Sequence, residues 1–250
     1  MITLHDIHKS FHDQEVLHGV DLEIPEGETI VLIGPSGCGK STLLRLMIGL
    51  LFPDEGSVTL LGQPVTRTNL TQLRQQLGFV LQNGGLFPHL TARQNVELMA
   101  HFLKKDPKWI AERTEELQEL THLESKMLDR YPRQLSGGQV QRVALMRALM
   151  LDPKILFLDE PLGALDPIHR SQLQQDMKSI FSTLGKTVVL VTHDIGEAAA
   201  LGDRVAIMDA GNILQFDTLS KLVNEPVSPF VTSFINAQRQ PWQILEAQIS

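Results

Sequence analysis

The sequence predicts an α/β fold with a mixed, mainly parallel sheet and helices, a helical insert and an N-terminal antiparallel β region. Three short apolar runs are typical of strands buried on both faces: "TIVLIG", "ILFLD" and "TVVLVT". A helical stretch at about 167–184 separates the last two runs, and strand, helix, strand at this spacing indicates parallel neighbours. The segment at about 88–150, by contrast, carries helical patterns with many charges and no strand-like run.

The pattern of apolar, polar and turn-forming residues in the N-terminal 33 residues predicts strands joined by turns. The segment "HGVDLEIPEGET" alternates apolar and polar residues and turns at Pro25–Gly27, and the buried run "TIVLIG" follows. A glycine-rich loop then leads into "STLLRLMIGLL", which has helical spacing, and "FPDEGSVTLLGQPV" has turn signals on both sides of a strand. Within the helical insert, Thr91 is expected to cap the first helix.

Composition narrows the classes of protein. With 250 residues, of which 42% are hydrophobic, the chain is long enough for one large domain with a real core. A formal net charge of −7 weighs against a nucleic-acid partner, which favours a basic face. Cys38 is the single cysteine, so no intrachain disulfide is possible. The start "MITLHDIHKSF" is too polar for a signal peptide. No apolar run reaches the roughly 18 residues that a membrane-spanning helix needs. We therefore expect a reducing cytoplasmic setting, with any membrane role coming through a partner.

The glycine-rich loop carries the first chemical signal. Gly34–Ser41 fits G-x-x-x-x-G-K-[ST] between a predicted strand and a predicted helix, the context that a P-loop requires. Its backbone N–H groups and the helix N-terminus favour phosphate, so Lys40 is expected to reach the β- and γ-phosphates and the Ser41 hydroxyl to ligate Mg²⁺. The alternative is a turn that merely joins strand to helix. The predicted ATP-binding residues of this loop are Gly34, Pro35, Ser36, Gly37, Cys38, Gly39, Lys40, Ser41 and Thr42, with Cys38 a small filler rather than a redox centre.

Acidic residues end a second buried run, "ILFLDE". A carboxylate at that position is costly without a cation or donors, so Asp159 is expected to act on Mg²⁺ and Glu160 to polarise a water as general base. A pair of solvated acids is the alternative. His193 and Gln82 also follow apolar runs, and taken alone they would be a structural hydrogen-bonding histidine and an ordinary loop residue.

Six segments together resemble, in order and spacing, the ATP-binding cassette ATPases: "GPSGCGKST", "VLQN", "LSGGQVQR", "ILFLDEP", "GALD" and "VTHD". The resemblance covers about residues 2–235, and the "LSGGQ" segment followed by "LDE" (Leu135 to Asp159, 24 apart) narrows it to this family. It implies a P-loop NTPase core with a helical subdomain. The implied boundaries are 1–235 for the ATPase domain, with 1–87 and 151–220 as its core and about 88–150 as the helical subdomain, and 236–250 for a C-terminal tail.

The resemblance also implies roles for residues outside the P-loop. Phe11 would stack on the adenine ring, and Gln82 would be a catalytic residue and metal ligand that senses the γ-phosphate. His193 would contact the γ-phosphate and support the geometry around Glu160, and Asp166 would lie at a subunit interface.

The signature segment consists of Leu135, Ser136, Gly137, Gly138 and Gln139. In the family that this chain resembles, the signature closes over the ATP held by a second copy packed head to tail. Ser136 and the N–H groups of the two glycines are suited to grip that γ-phosphate, because glycine allows close backbone approach and a helix N-terminus follows. The functional unit implied is a dimer, formed with a second copy or a related ATPase, that closes on ATP.

The same resemblance implies that ATP hydrolysis drives transport. The chain would power two transmembrane permease subunits, with an extracytoplasmic substrate-binding protein, at the cytoplasmic face of the plasma membrane. The stretches "QNGGLFPHLTARQN" and "LGALDPIHR" most resemble importers of osmoprotectants and quaternary amines. Leu86, Phe87 and Pro88 are expected to form the socket for a coupling helix of the membrane subunit, unless Phe87 is simply a core residue. Amino-acid, anion or lipid transport, export, and a soluble role in DNA repair or translation are the alternatives.

Overall fold

The structure is a computed structural model that describes residues 1–12, 14–163 and 165–238. The strands, in chain order, are β1 (Ile2–Phe11), β2 (Gln14–Ile24), β3 (Thr29–Ile33), β4 (Glu55–Leu60), β5 (Gln63–Pro64), β6 (Leu77–Val80), β7 (Ile155–Asp159), β8 (Thr187–Thr192), β9 (Arg204–Asp209) and β10 (Asn212–Asp217). The helices are α1 (Lys40–Met47), α2 (Leu70–Arg74), α3 (Ala92–Phe102), α4 (Pro107–Leu120), α5 (Gly137–Leu149), α6 (Pro167–Leu184), α7 (Ile195–Leu201) and α8 (Leu219–Asn224). A further helix spans 229–238. Most of the predicted tail, 239–250, lies outside the described residues.

The chain forms two compact units. The first comprises Met1–Pro64 together with the described residues from Val191 on, and the second comprises Val65–Leu190. No helix within the described ranges is both long and apolar enough to cross a membrane.

The first unit contains a four-stranded antiparallel sheet in the order β2-β1-β4-β5. Ile2 pairs with Ile24 on one side and with Leu60 on the other, and all three side chains are buried. Because side chains alternate along a strand, this register places the apolar residues of the three strands on one face. The predicted N-terminal antiparallel β region is confirmed.

The first unit also holds the strand that leads into the P-loop. Every residue of β3 is buried, and β3 pairs in parallel with β9, which pairs antiparallel with β10. A strand buried on both faces needs helices to cover it, and α7 packs against β3. The glycine-rich loop therefore starts from a fixed strand end and runs directly into α1.

In the second unit, β6 and β7 are parallel neighbours, paired from Leu77 with Ile155 to Val80 with Leu158. Helix α5 packs against β6 and α3. The contact with β6 is close, because a Cβ built on Gly78 would lie 2.6 Å from the carbonyl oxygen of Ala148. Glycine in β6 thus lets α5 approach the strand whose end carries Gln82.

The helical insert is also confirmed. Thr91 caps α3 through a capping box, in which the Thr91 hydroxyl accepts from the Gln94 N–H and the Gln94 side chain accepts from the Thr91 N–H. Helix α4 begins at Pro107 after its N-cap Asp106, whose carboxylate accepts two backbone N–H bonds. The predicted α/β fold class is therefore correct in its strands, its helices and its N-terminal sheet.

Candidate functional site

The glycine-rich loop connects β3 to α1, and its glycines are required by geometry. Gly37 and Gly39 have φ angles of 82° and 106°, in the left-handed region. A Cβ on Gly39 would lie 2.8 Å from the Leu17 side chain, and one on Gly34 would lie 2.1 Å from the Met208 carbonyl oxygen. Any side chain at these positions would therefore change the path of the loop.

Lys40 is buried beneath this loop. Its ammonium donates to the carbonyl oxygens of Gly34 at 2.7 Å and Pro35 at 2.9 Å. Phosphate oxygens are charged acceptors that form stronger bonds than carbonyls, so the ammonium is placed to exchange partners with a phosphate. Ser41 and Thr42 follow in the first turn of α1, whose N-cap Gly39 provides no side-chain cap.

Cys38 lies inside the same loop and is buried. Desolvation by burial raises the pKa of its thiol above the usual value, although nearby Lys40 opposes the shift. The thiol rather than the thiolate is therefore favoured, which makes Cys38 a weak nucleophile. This supports the interpretation of Cys38 as a small filler.

Two predicted catalytic residues meet at the ends of β6 and β7. Val80 pairs with Leu158, so Gln82 and Glu160, each two residues further along its chain, lie side by side. The Gln82 amide Nε2 donates to Glu160 Oε2 at 2.8 Å. Asp159, only 9% exposed, is the last residue of β7. The structure thus places an amide and two carboxylates at one strand-end position.

Glu160 has a left-handed backbone. Its φ of 46° is unusual for a residue with a side chain. The Gly163 N–H donates to the Glu160 carbonyl oxygen at 3.2 Å, which closes a turn directly after β7. Backbone in such a region costs about 1 kcal/mol or more, and residues held there are enriched at functional sites.

The signature segment forms the N-terminus of α5. The Ser136 hydroxyl accepts from the Gln139 N–H at a long 3.4 Å, and the Gln139 side chain accepts from the Ser136 N–H at 2.9 Å. Ser136 and Gly137 are exposed, and a Cβ on Gly138 would meet nothing within 4 Å. Leu135 precedes this cap. The beginning of the helix is therefore open to an approaching anionic group.

The other predicted site residues occupy chain turns and ends. Phe11 is the exposed last residue of β1, and the Lys9 ammonium lies 5.6 Å from its ring centre. His193 is exposed and follows β8 directly. Asp166 is exposed and immediately precedes α6, where its carbonyl oxygen accepts from the Arg170 N–H. The P-loop, Phe11 and His193 belong to the first unit, and Gln82, Asp159, Glu160, the signature and Asp166 to the second.

A protein-family profile described as "ABC transporter" matches residues 17–163. The chain belongs to the ABC transporter family. The resemblance predicted from the six motif segments is thereby confirmed, and the chain is an ATP-binding cassette of that family.

Relatives of the cassette include transport proteins with different substrates. It is 41% identical over 240 residues to the glycine betaine/carnitine/choline transport ATP-binding protein OpuCA of Bacillus subtilis, which covers 96% of the cassette and 63% of the relative. It is 43% identical over 234 residues to the sulfate/thiosulfate import ATP-binding protein CysA of Synechocystis sp., covering 94% and 65%. The cassette thus spans less than two thirds of the length of either relative.

A solved structure shares the fold of the cassette. It is the dimeric, post-hydrolysis state of the ATP-binding cassette MJ0796 bound to ADP and Pi, with a TM-score of 0.79 and 36% identity over 88% of this chain and 99% of that one. The match covers both units of the cassette, so the fold assignment does not depend on the motifs alone.

Sequence reasoning missed the side chains that hold the predicted residues of the cassette in place. The buried Thr192 hydroxyl donates to Glu197 at 2.6 Å and accepts from the Asp194 N–H, which braces the turn that carries His193. Gln141 and Arg147 on α5 bond to backbone carbonyls of the loop after β6. A signal for Arg147 existed, since it is a charge within the apolar run "LMRALM".

Proposed function

We propose that this cassette hydrolyses ATP to drive solute import through separate membrane subunits. The observation that carries the proposal is the hydrogen bond between Gln82 and Glu160, which places a carboxylate and an amide together at a strand end in a chain that also carries a P-loop. A carboxylate held in this way is suited to accept a proton from water, and an amide beside it is suited to orient that water.

ATP would be held by the first unit. Lys40 would bind the β- and γ-phosphates, the P-loop N–H groups would receive phosphate oxygens, and Phe11 would stack on adenine through its exposed ring. His193 would contact the γ-phosphate from the capped turn after β8. Support comes from the buried ammonium of Lys40, the left-handed loop glycines and the exposure of Phe11 and His193.

Mg²⁺ fits the donor set proposed for it. Ser41 offers a hydroxyl, Asp159 a carboxylate and Gln82 an amide, all oxygen ligands of the kind that Mg²⁺ prefers. The Gln82 amide nitrogen already donates to Glu160, so the amide oxygen is the atom that would bind a cation. When bound, the metal would neutralise charge on the phosphates.

Hydrolysis itself would rest on Glu160. Its carboxylate would accept a proton as water attacks the γ-phosphate, with Gln82 holding the carboxylate and His193 supporting the phosphate. The left-handed backbone at Glu160 directs the chain sharply away from the strand, which supports a role that depends on an exact side-chain position.

The second copy would complete the site. The MJ0796 cassette has been solved as a dimer bound to ADP and Pi, and this cassette shares its fold. Leu135–Gln139 of one copy would close over the ATP of the other, with Ser136, Gly137 and Gly138 gripping the γ-phosphate and Asp166 at the interface. The exposed serine and the open N-terminus of α5 support this arrangement, in which ATP favours the closed state and hydrolysis releases it.

A membrane partner would dock on the second unit. A cavity of about 470 Å³ is lined largely by apolar side chains, among them Leu81, Phe87, Met99 and Phe102. Phe87 is 45% exposed, which contradicts the alternative that Phe87 is simply a core residue. Phe102, which lines the same cavity, is 75% exposed. Leu86 and Pro88 flank Phe87 in the chain, and this surface supports the proposed socket for a coupling helix of one permease subunit, so that a dimer of cassettes would engage two. The cassette would then be peripheral to the cytoplasmic face of the membrane.

For the solute, we propose an osmoprotectant or quaternary amine, delivered by an extracytoplasmic binding protein. The substrates named for OpuCA support this assignment. The similar identity to CysA favours one specific alternative, an inorganic anion such as sulfate. Uptake assays with the cognate permease, using radiolabelled glycine betaine and sulfate in parallel, distinguish the two.

The Glu160→Gln variant tests the hydrolytic proposal. It keeps the side-chain shape and an oxygen acceptor for Gln82 but removes the base, so kcat should fall by about 100-fold or more while ATP affinity stays unchanged. ATP should then trap a dimer, measured by analytical ultracentrifugation. Glu119→Gln, an exposed change on α4, is the control and should turn over like wild type. Rapid turnover by Glu160→Gln would exclude Glu160 as the base.

A further inference from the structure

The turn that follows β6 is held by one helix. It is closed by the Gly84 N–H, which donates to the Leu81 carbonyl oxygen at 2.8 Å, and it contains Gln82. Three carbonyls of this segment accept bonds from side chains of α5. Gln141 donates to the Gln82 oxygen at 2.8 Å, and Arg147 donates to the oxygens of Gly84 and Gly85, both at 2.7 Å.

Gly84 and Gly85 allow close packing of this segment, Gly84 against α5 and Gly85 against Leu81 within the segment. A Cβ on Gly84 would lie 2.8 Å from the Val140 side chain of α5, and one on Gly85 would lie 2.4 Å from the Leu81 side chain. Both glycines have positive φ, 71° and 57°. The segment therefore has little room to shift on α5, and the two bonds from Arg147 fix its C-terminal end.

Arg147 itself is an unusual lining residue. It is half-buried and borders the cavity otherwise lined largely by apolar side chains such as Leu81 and Phe87. Burial lowers the pKa of its guanidinium, which nevertheless stays charged at neutral pH. A half-buried charge is costly unless strong acceptors satisfy it, and the two glycine carbonyls meet that need.

We infer that Arg147 is a positioning residue for ATP hydrolysis: it holds the Gly84–Gly85 turn so that the Gln82 amide stays on Glu160. The inference rests on the proposed function. Arg147 acts through the turn and not on the nucleotide, so losing it should lower kcat and leave the KM for ATP nearly unchanged. Because α5 begins with the signature segment and carries Arg147 near its end, the same helix also ties the signature to the turn.

The experiment compares Arg147→Met with Arg113→Met in the isolated full chain. Arg113 is the control: its side chain is largely buried and pairs with Glu116, and its guanidinium donates to a backbone carbonyl outside the turn, that of Leu149. Arg147→Met should lower kcat by about tenfold with KM changed less than about twofold, and Arg113→Met should leave kcat unchanged. Arg147→Lys should recover part of the rate, because an ammonium can still donate to a glycine carbonyl.

Two further measurements separate positioning from loss of stability. Hydrogen exchange of the 81–85 amides should accelerate in Arg147→Met and stay at the wild-type rate in Arg113→Met. Gly85→Ala should also lower kcat, and the double variant with Arg147→Met should lose less than the product of the two effects, because both act through one turn. A wild-type kcat or unchanged exchange in Arg147→Met overturns the inference. A wild-type chain without ATPase activity overturns the proposed function instead, while exchange still decides whether Arg147 holds the turn.

Discussion

At the scale of single residues, Asn95 organises the loop between the turn and α3. Its side chain is fully buried and makes four hydrogen bonds to that loop. Oδ1 accepts from the Phe87 N–H at 2.7 Å, and Nδ2 donates to the carbonyl oxygens of Phe87, Leu90 and Thr91. One buried amide therefore links four backbone groups of the loop, with its two N–H hydrogens shared among three carbonyl oxygens.

We predict that Asn95→Ala lowers the free energy of unfolding by about 2–3 kcal/mol, because it removes a fully buried side chain together with all of its hydrogen bonds to the loop. Equilibrium urea unfolding measures the change. Asn224→Ala, on the exposed face of α8, is the control and should change the free energy by less than about 0.5 kcal/mol. Equal effects of the two substitutions would show that the Asn95 network contributes nothing of its own.

Some of the important residues could be predicted from the sequence and others could not. Gln82 and Glu160 were accessible because a motif fixes each at the end of an apolar run, and the parallel register of β6 and β7 brings them together. The roles of Asn95 and Arg147 were not accessible, because each depends on which backbone carbonyls of a folded loop or turn face the side chain. The left-handed φ of Glu160 likewise reflects the turn closed by Gly163 and has no local signal.

At the scale of elements, the pairing of β1 with β2 carries a pH-sensitive contact. His8 Nδ1 bonds to Glu15 Oε1 at 2.9 Å and His8 Nε2 to Asp6 at 3.2 Å, while His18 contacts the other oxygen of Glu15 at 3.1 Å. The hydrogen bond to Glu15 raises the pKa of His8 above its ordinary value of 6.5. The bond to His8, followed by that to His18, lowers the pKa of Glu15 below 4.5.

The directions of the pKa shifts of His8 and Glu15 define the pH range in which their contact stabilises the folded protein. A raised histidine pKa contributes stability that is present below pH 6.5 and is lost as pH rises through the folded-state pKa of His8. A lowered carboxyl pKa contributes stability that is present above pH 4.5 and is lost as pH falls through the folded-state pKa of Glu15. The contact therefore stabilises the strand pair most between these two values.

We predict that Glu15→Gln flattens the decline of the unfolding temperature as pH rises from about 6 to 8, because His8 loses its principal acceptor. Thermal unfolding by circular dichroism at several pH values measures the slope. Glu23→Gln, an exposed change on the same strand, should keep the wild-type slope. Parallel pH curves for wild type and Glu15→Gln would contradict a role for this contact.

The positions of elements with strong local patterns were predictable from the sequence. The apolar runs at 155–159 and 187–192 became β7 and β8, and the helical stretch at 167–184 became α6. The two-residue β5 and the five-residue α2 could not be predicted, because segments this short show no hydrophobic periodicity and depend on contacts with neighbouring elements. The capping of α3 was predictable since Thr91 and Gln94 carry it locally.

At the scale of the whole molecule, the proposed dimer gives the signature segment two environments. In a single copy Ser136 is exposed, so a larger side chain there is tolerated. In the proposed dimer the same side chain would collide with the ATP site of the second copy. We predict that Ser136→Arg, combined with Glu160→Gln, abolishes the ATP-dependent dimer while each copy still binds ATP. Analytical ultracentrifugation with and without ATP measures assembly, and a fluorescent ATP analogue measures binding. Ser220→Arg in the same background adds the same side chain on exposed α8 and should still dimerise. An ATP-bound dimer of Ser136→Arg would rule out the trans arrangement.

The left-handed backbone of Glu160 has a consequence for attempts to redesign this protein. Glycine adopts a φ of 46° without strain, so a procedure that selects residues for stability alone would favour glycine there by about 1 kcal/mol. The resulting chain would be free of that backbone strain but would lack the carboxylate that Gln82 now contacts. Thermostability is therefore a misleading guide at this position, where the residue best for the fold and the residue proposed for the chemistry are different.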